Sequence, residues 1–130
     1  MQGNPVVWFE IYVKDMQRAK AFYESVLQVQ LQKLVSPAAD MLEMWSFPSQ
    51  MHGFGASGAL AKMDGGPSNG NGTIVYFTCD DCATEASRVA ASGGKIMKGK
   101  VSIGQYGFIA LAIDTEGNII GLHSPPCQHR

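Results

Sequence analysis

The sequence predicts an α+β fold made of two tandem β-α-β-β-β modules, on the strength of three observations. Val6 to Leu27, VVWFEIYVKDMQRAKAFYESVL, reads as a strand, a tight turn and an amphipathic helix. A weaker copy of that order returns 66 residues later, with Ile74 in the place of Trp8 and Asp81 in that of Asp15. Between the copies lies MDGGPSNGNG, Met63 to Gly72, whose glycines and proline mark a linker.

Each element has its own signal. In the first strand Val7, Phe9, Ile11 and Val13 alternate with Trp8, Glu10 and Tyr12, because strand side chains repeat with period two. The first set is apolar and suits a helix-covered face. The second holds one carboxylate between two aromatic rings, a mixture typical of a cavity lining. Asp15 is an N-cap for a helix with Met16, Ala19, Phe22, Tyr23, Val26 and Leu27 on one face. Strands are predicted at Gln28–Val35, Asp40–Phe47 and Gly55–Lys62. After the linker come a strand at Thr73–Cys79 and a helix capped by Asp80 or Asp81 that ends before Gly93 and Gly94. Strands at Lys95–Ile103, Gly107–Asp114 and Asn118–Ser124 complete the second module.

With 130 residues, 45% of them hydrophobic, the chain is expected to form one domain with a sizeable core. Charged residues make up 16%, against a usual ~25%, which points to a surface partly covered by a second subunit, a homodimer. The formal net charge of −1 and scattered lysines and arginines exclude a polyanion partner, so no nucleic acid is expected. No signal-like or 18-residue apolar stretch is present, so neither secretion nor a membrane partner is predicted. Three cysteines suit a reducing compartment, and a cytoplasmic location is expected.

The phrases VKDMQRAKAFYESVL, GASGAL, ATEASRVAASGG and YGFIALAIDTEGNIIGLHS resemble the vicinal oxygen chelate superfamily, which includes glyoxalase I, bleomycin and fosfomycin resistance proteins and extradiol dioxygenases. The chain is most similar to its small glyoxalase-related members, from about Pro5 to Ser124. The resemblance implies a single domain, with module one at about 5–62, the linker at 63–72 and module two at about 73–124. It also implies a curved eight-stranded mixed sheet, a cup, with the helices outside. Metal-dependent members take one ligand from the first and one from the last strand of each module. Aligning GASGAL with NIIGLH at an offset of 63 puts those slots on Trp8, Gly58, Ile74 and Gly121. None of the four side chains binds a divalent ion, so no metal or other cofactor is predicted. A two-residue slip brings in Glu10, Leu60, Tyr76 and His123 and leaves a rearranged metal site as an alternative.

The expected cup lining is therefore Trp8, Tyr12, Gly58, Leu60, Ile74, Tyr76, Thr78 and Gly121 around a small organic ligand, with Glu10 and His123 as the catalytic pair. The glycines would leave room where ligand-binding side chains stand in relatives. A carboxylate among apolar rings holds its proton more tightly and suits acid–base work, while an imidazole acts likewise or orients a substrate oxygen. Tyr106, in GQYG, would offer a hydroxyl at the rim.

Other signals resolve to structure. GFGASG, Gly53 to Gly58, fits the dinucleotide fingerprint in letters only, since Gly65, Gly66 and Pro67 preclude the helix that would hold a pyrophosphate. Cys79 and Cys82 form a C-x-x-C that zinc would share with Cys127 and His129; the structural alternative is a buried hydrophobic thiol at Cys79. Met41, Met44, Met51, Trp45, Phe47 and Phe54 suit a lid or subunit contact, with His52 among them. The expected activity is metal-independent isomerase or lyase chemistry on a carbonyl compound, with Glu10 as base. The alternatives are sequestration of a drug or metabolite, as in bleomycin-resistance relatives, and a metal enzyme with rearranged ligands.

Overall fold

The computed structural model describes residues 4–35, 42–50, 54–63 and 72–126. Among them are eight strands and two α-helices in the α+β order that the sequence predicts. The linker at 64–71 and Met41, Met51, His52, Cys127 and His129 lie outside the described residues. The chain divides into two compact units, Trp8–Thr73 and a second that joins Met1–Val7 to Ile74–Arg130.

In the first unit, strand β1 (Val6–Tyr12) leads to helix α1 (Met16–Leu27), then β2 (Gln32–Leu34), β3 (Leu42–Ser46) and β4 (Ser57–Met63). The sheet order is β2-β3-β4-β1, antiparallel except for the parallel pair β4/β1. Asp15 caps α1 by accepting the Arg18 N–H at 3.0 Å. Met16, Ala19 and Tyr23 face the sheet and pack with Leu31 and Leu60. The predicted stripe is wider than the buried one, since Phe22, Val26 and Leu27 are 52–61% exposed. Gln28 ends the helix in the left-handed conformation, and Glu24 then accepts the Leu31 N–H at 2.9 Å. This turn uses the first residues of the expected Gln28–Val35 strand, which shrinks to β2.

In the second unit, β5 (Thr73–Thr78), α2 (Cys82–Ser87), β6 (Lys95–Ser102), β7 (Phe108–Ile113) and β8 (Ile119–Ser124) repeat the plan. The sheet order is β5-β8-β7-β6, with β5/β8 parallel and the rest antiparallel. Asp81 is the cap, accepting the Ala83 N–H at 3.0 Å and the Lys100 ammonium at 2.9 Å. Lys100 and the Ala83 N–H hold its carboxyl below the usual aspartate range. The helix is shorter than expected, because Arg88 and Val89 bond three residues back and tighten into a 3-10 turn at Ala90–Ser92. Cys79, Cys82, Ala110 and Leu122 form the core under α2.

Candidate functional site

In both units the sheet has one face on its helix and one face away from it, and parallel register fixes which residues share a face. In the first unit Trp8 pairs with Ser57, Glu10 with Ala59 and Tyr12 with Ala61. Trp8 and Tyr12 pack with Met44, Ala59 and Ala61 on the face away from α1. Phe9 pairs with Gly58 and Ile11 with Leu60, and Leu60 is fully buried against Met16 of α1. The expectation that Gly58 and Leu60 share the face of Glu10 is therefore corrected: both point toward the helix. The last strands of the two units correspond at an offset of 62, Leu60 with Leu122, rather than 63. A one-residue slip turns every side chain of a strand to the other face.

The second unit keeps the expected facing. Tyr76 pairs with Gly121 and Thr78 with His123, while Phe77 and Leu122 pack under α2. Ile74 and Tyr76 are buried and Thr78 and His123 half-buried. The room expected at the two glycines is filled from within each unit. A Cβ on Gly121 would stand 2.2–2.6 Å from the Tyr76 ring, and one on Gly58 2.3–2.5 Å from the Phe9 ring. Each glycine seats an aromatic ring of the neighbouring strand.

Glu10 is buried at 8% exposure. Its carboxylate accepts the Trp8 indole N–H at 3.1 Å and the Tyr12 hydroxyl at 2.9 Å, one on each oxygen. Both donors lie two residues away on the same strand, so alternation alone brings the three side chains together. The Tyr12 phenol is pushed well above its usual range by burial first, then by the charge and hydrogen bond of Glu10. Tyr12 is thus a permanent donor. These two donors orient the Glu10 carboxylate.

His123 Nε2 lies 2.7 Å from the backbone carbonyl oxygen of Tyr106. Tyr106 meets this histidine through its backbone carbonyl. Ser57, Ala59, Ala61 and Met44 are further residues of the Glu10 face that the sequence analysis missed. The pattern Ser-x-Ala-x-Ala, small on alternate positions beside a buried Leu60, is the signal that could have found the first three.

The metal slots offer no fitting donor set. Trp8, Ile74 and Gly121 lack donors, Gly58 and Leu60 face α1, and the residues of β4 beside Glu10 are Ser57, Ala59 and Ala61. Among the described residues no three His, Cys, Asp or Glu side chains gather. Cys79 and Cys82 are buried in the α2 core as free thiols, and burial first, then Glu85, pushes the Cys79 thiol up to about 11. Such a thiol packs as a small hydrophobe.

No curated protein matches the chain. Among solved structures, methylmalonyl-CoA epimerase from Mycobacterium tuberculosis is 15% identical at a TM-score of 0.66, over 95% of this chain and 89% of that one. A hypothetical protein from Bacillus halodurans is 12% identical at a TM-score of 0.71, over 99% of both chains. A variant of the Streptomyces coelicolor methylmalonyl-CoA epimerase in complex with 2-nitronate-propionyl-CoA is 13% identical at 0.66, over 95% of this chain and 99% of that one. At these identities the likeness is one of fold. The profile of the Glyoxalase/Bleomycin resistance protein/Dioxygenase superfamily matches residues 6–122, through both β-α-β-β-β copies. This chain belongs to that superfamily.

Proposed function

We propose that the protein binds a small organic carbonyl compound and moves a proton on it, as an isomerase or lyase of the glyoxalase-related type. One observation supports this above the others: the buried Glu10 carboxylate on the sheet face away from α1, aimed by Trp8 and Tyr12 and flanked by small Ala59 and Ala61. In the isomerase form, Glu10 takes the proton from the carbon next to the carbonyl, and the C–H electron pair moves to the carbonyl oxygen as an enolate. Returning the proton to carbon gives the isomer, with no change of oxidation state. Tyr12 and Trp8 hold the base in place before and after the transfer. On the corresponding face of the second unit, beside Thr78, His123 offers an imidazole that can accept a ligand N–H or O–H. Two of the three solved structures described above are named as epimerases of an acyl-CoA, so acyl thioesters are the first class to test.

The experiment is exchange of the substrate's α-hydrogen for solvent deuterium, followed by NMR on a panel of acyl thioesters and α-hydroxy or α-keto carbonyl compounds. Glu10→Gln should lower the exchange rate about 10²- to 10⁴-fold while ligand binding persists. Exchange unchanged by Glu10→Gln removes the base assignment. Saturable binding with no exchange on any panel member points instead to sequestration.

A further inference from the structure

We infer that His123 acts through Nδ1, and that Tyr106 is the positioning residue that makes it so, by a backbone carbonyl that fixes the ring tautomer. A carbonyl oxygen only accepts hydrogen bonds, so the 2.7 Å contact requires the proton on Nε2. In the neutral ring the other nitrogen, Nδ1, is then the lone-pair site, and it is the atom left for a ligand N–H or O–H or for a proton.

The carbonyl is held in place by the turn that carries it. Ile103 N–H donates to the Gly107 carbonyl at 2.8 Å and Gly107 N–H to Gly104 at 3.1 Å. The Ser102 hydroxyl accepts the Gly104 N–H at 3.1 Å. Gly107 itself sits at φ 107, ψ −132, a conformation essentially confined to glycine. A Cβ there would also stand 2.2 Å from the Ser124 carbonyl oxygen and 2.9 Å from Pro125. The missing side chain lets the turn lie against the end of β8, one residue past His123. Its neighbour Tyr106 thereby presents a carbonyl to the imidazole. From the other side, the Cys79 N–H donates to the His123 carbonyl at 2.8 Å and fixes the backbone of the same residue. A turn fastened at three points around a glycine-only conformation, ending on one ring nitrogen, defines the tautomer of that ring.

The test needs no ligand, so it stands or falls independently of the Glu10 assignment. The full chain is labelled with ¹⁵N and its imidazoles are followed by long-range ¹H–¹⁵N correlation above the histidine titration, with N-acetylhistidine amide as the freely averaging reference. The His123 signals are identified by their loss in His123→Gln. The expected result is Nδ1 in the unprotonated range and Nε2 in the protonated range. The Nε2–H tautomer should be in roughly tenfold excess, the share that one hydrogen bond supports. Its Nε2 proton should exchange slowly enough to appear in a direct one-bond spectrum. In Gly107→Ala that direct signal should vanish and both nitrogens should shift toward the averaged reference. A proton on Nδ1, ring nitrogens averaged in the unaltered protein, or an unchanged pattern in a folded Gly107→Ala chain each overturn the inference. Should Gly107→Ala fail to fold, the spectrum of the unaltered protein decides alone.

Discussion

The two units repeat one topology and divide the polar work on their faces differently. In the first, the carboxylate on the face away from the helix stands on the first strand, at Glu10, and the last strand places Ser57, Ala59 and Ala61 beside β1. In the second, the first strand carries buried Ile74 and Tyr76, and of the two parallel strands it is the last that carries the imidazole, at His123. Glu10 corresponds to Tyr76, Ala59 to Gly121 and Ala61 to His123. A duplicated fold can therefore place a chemically able side chain on either parallel strand, provided the partner strand stays small beside it. Gly121 beside Tyr76 and Ala59 beside Glu10 are the same accommodation, scaled to the bulk of the neighbour.

The sharpest way to break the correspondence is through its anchors, Leu60 and Leu122. Leu60 is fully buried beneath a helix of 12 residues, whereas Leu122 is 7% exposed beneath one of 6. Truncation removes transfer free energy and leaves a cavity, so both alanine variants should be destabilised. Leu60→Ala should cost about 3–5 kcal/mol and Leu122→Ala about 2–4 kcal/mol, read from urea unfolding. A Leu122→Ala loss equal to or larger than that of Leu60→Ala would mean that the shorter helix is the stronger anchor. A near-neutral effect at either position would contradict the offset of 62.

The glycines give the next largest effect and show what the sequence could and could not convey. Element order was legible because period-two strands, aspartate caps at Asp15 and Asp81, and the left-handed Gly93 leave local signals. The facing of β1, β5 and β8 was legible because Glu10, Tyr76 and His123 break an otherwise apolar alternation. The facing of β4 was not: GASGALAK is small on both sides, and matching Gly58 to Gly121 slipped it by one residue. Matching Leu60 to Leu122 restores it. The Tyr106 contact was beyond reach because a backbone acceptor leaves no mark in a side-chain pattern. Since both glycines seat rings rather than ligand, Gly121→Ala should overpack Tyr76 and cost about 2–3 kcal/mol. Gly58→Ala should cost about 1–2 kcal/mol, because Phe9 is only half-buried and can yield. Tyr76→Leu should relieve the first loss and leave the second untouched. Additivity of Tyr76→Leu with Gly121→Ala would refute the seating.

The smallest expected effect separates the two units by pH. Both hold an acid in its neutral form, half-buried Tyr12 in the first and buried Cys79 in the second, but the thiol titrates earlier. The Cys79 pKa is raised from 9.0 to about 11 in the fold, so between those values the unfolded chain has lost a proton that the folded chain keeps. Fewer protons on the unfolded state mean that unfolding free energy falls as pH rises. The contribution of Cys79 is complete below about pH 9 and is lost as pH climbs through about 11, a decline of about 1–2 kcal/mol once solvent screening reduces the full conversion of the shift. Tyr12, raised beyond its usual 10.0, adds its own loss only above that pH. Cys79→Ala should therefore flatten unfolding free energy between pH 9 and 10 and leave the steeper fall above pH 10 in place. Tyr12→Phe should do the reverse. A Cys79→Ala profile that still falls from pH 9 would assign the early loss to another group and remove the thiol as the second unit's alkaline weak point.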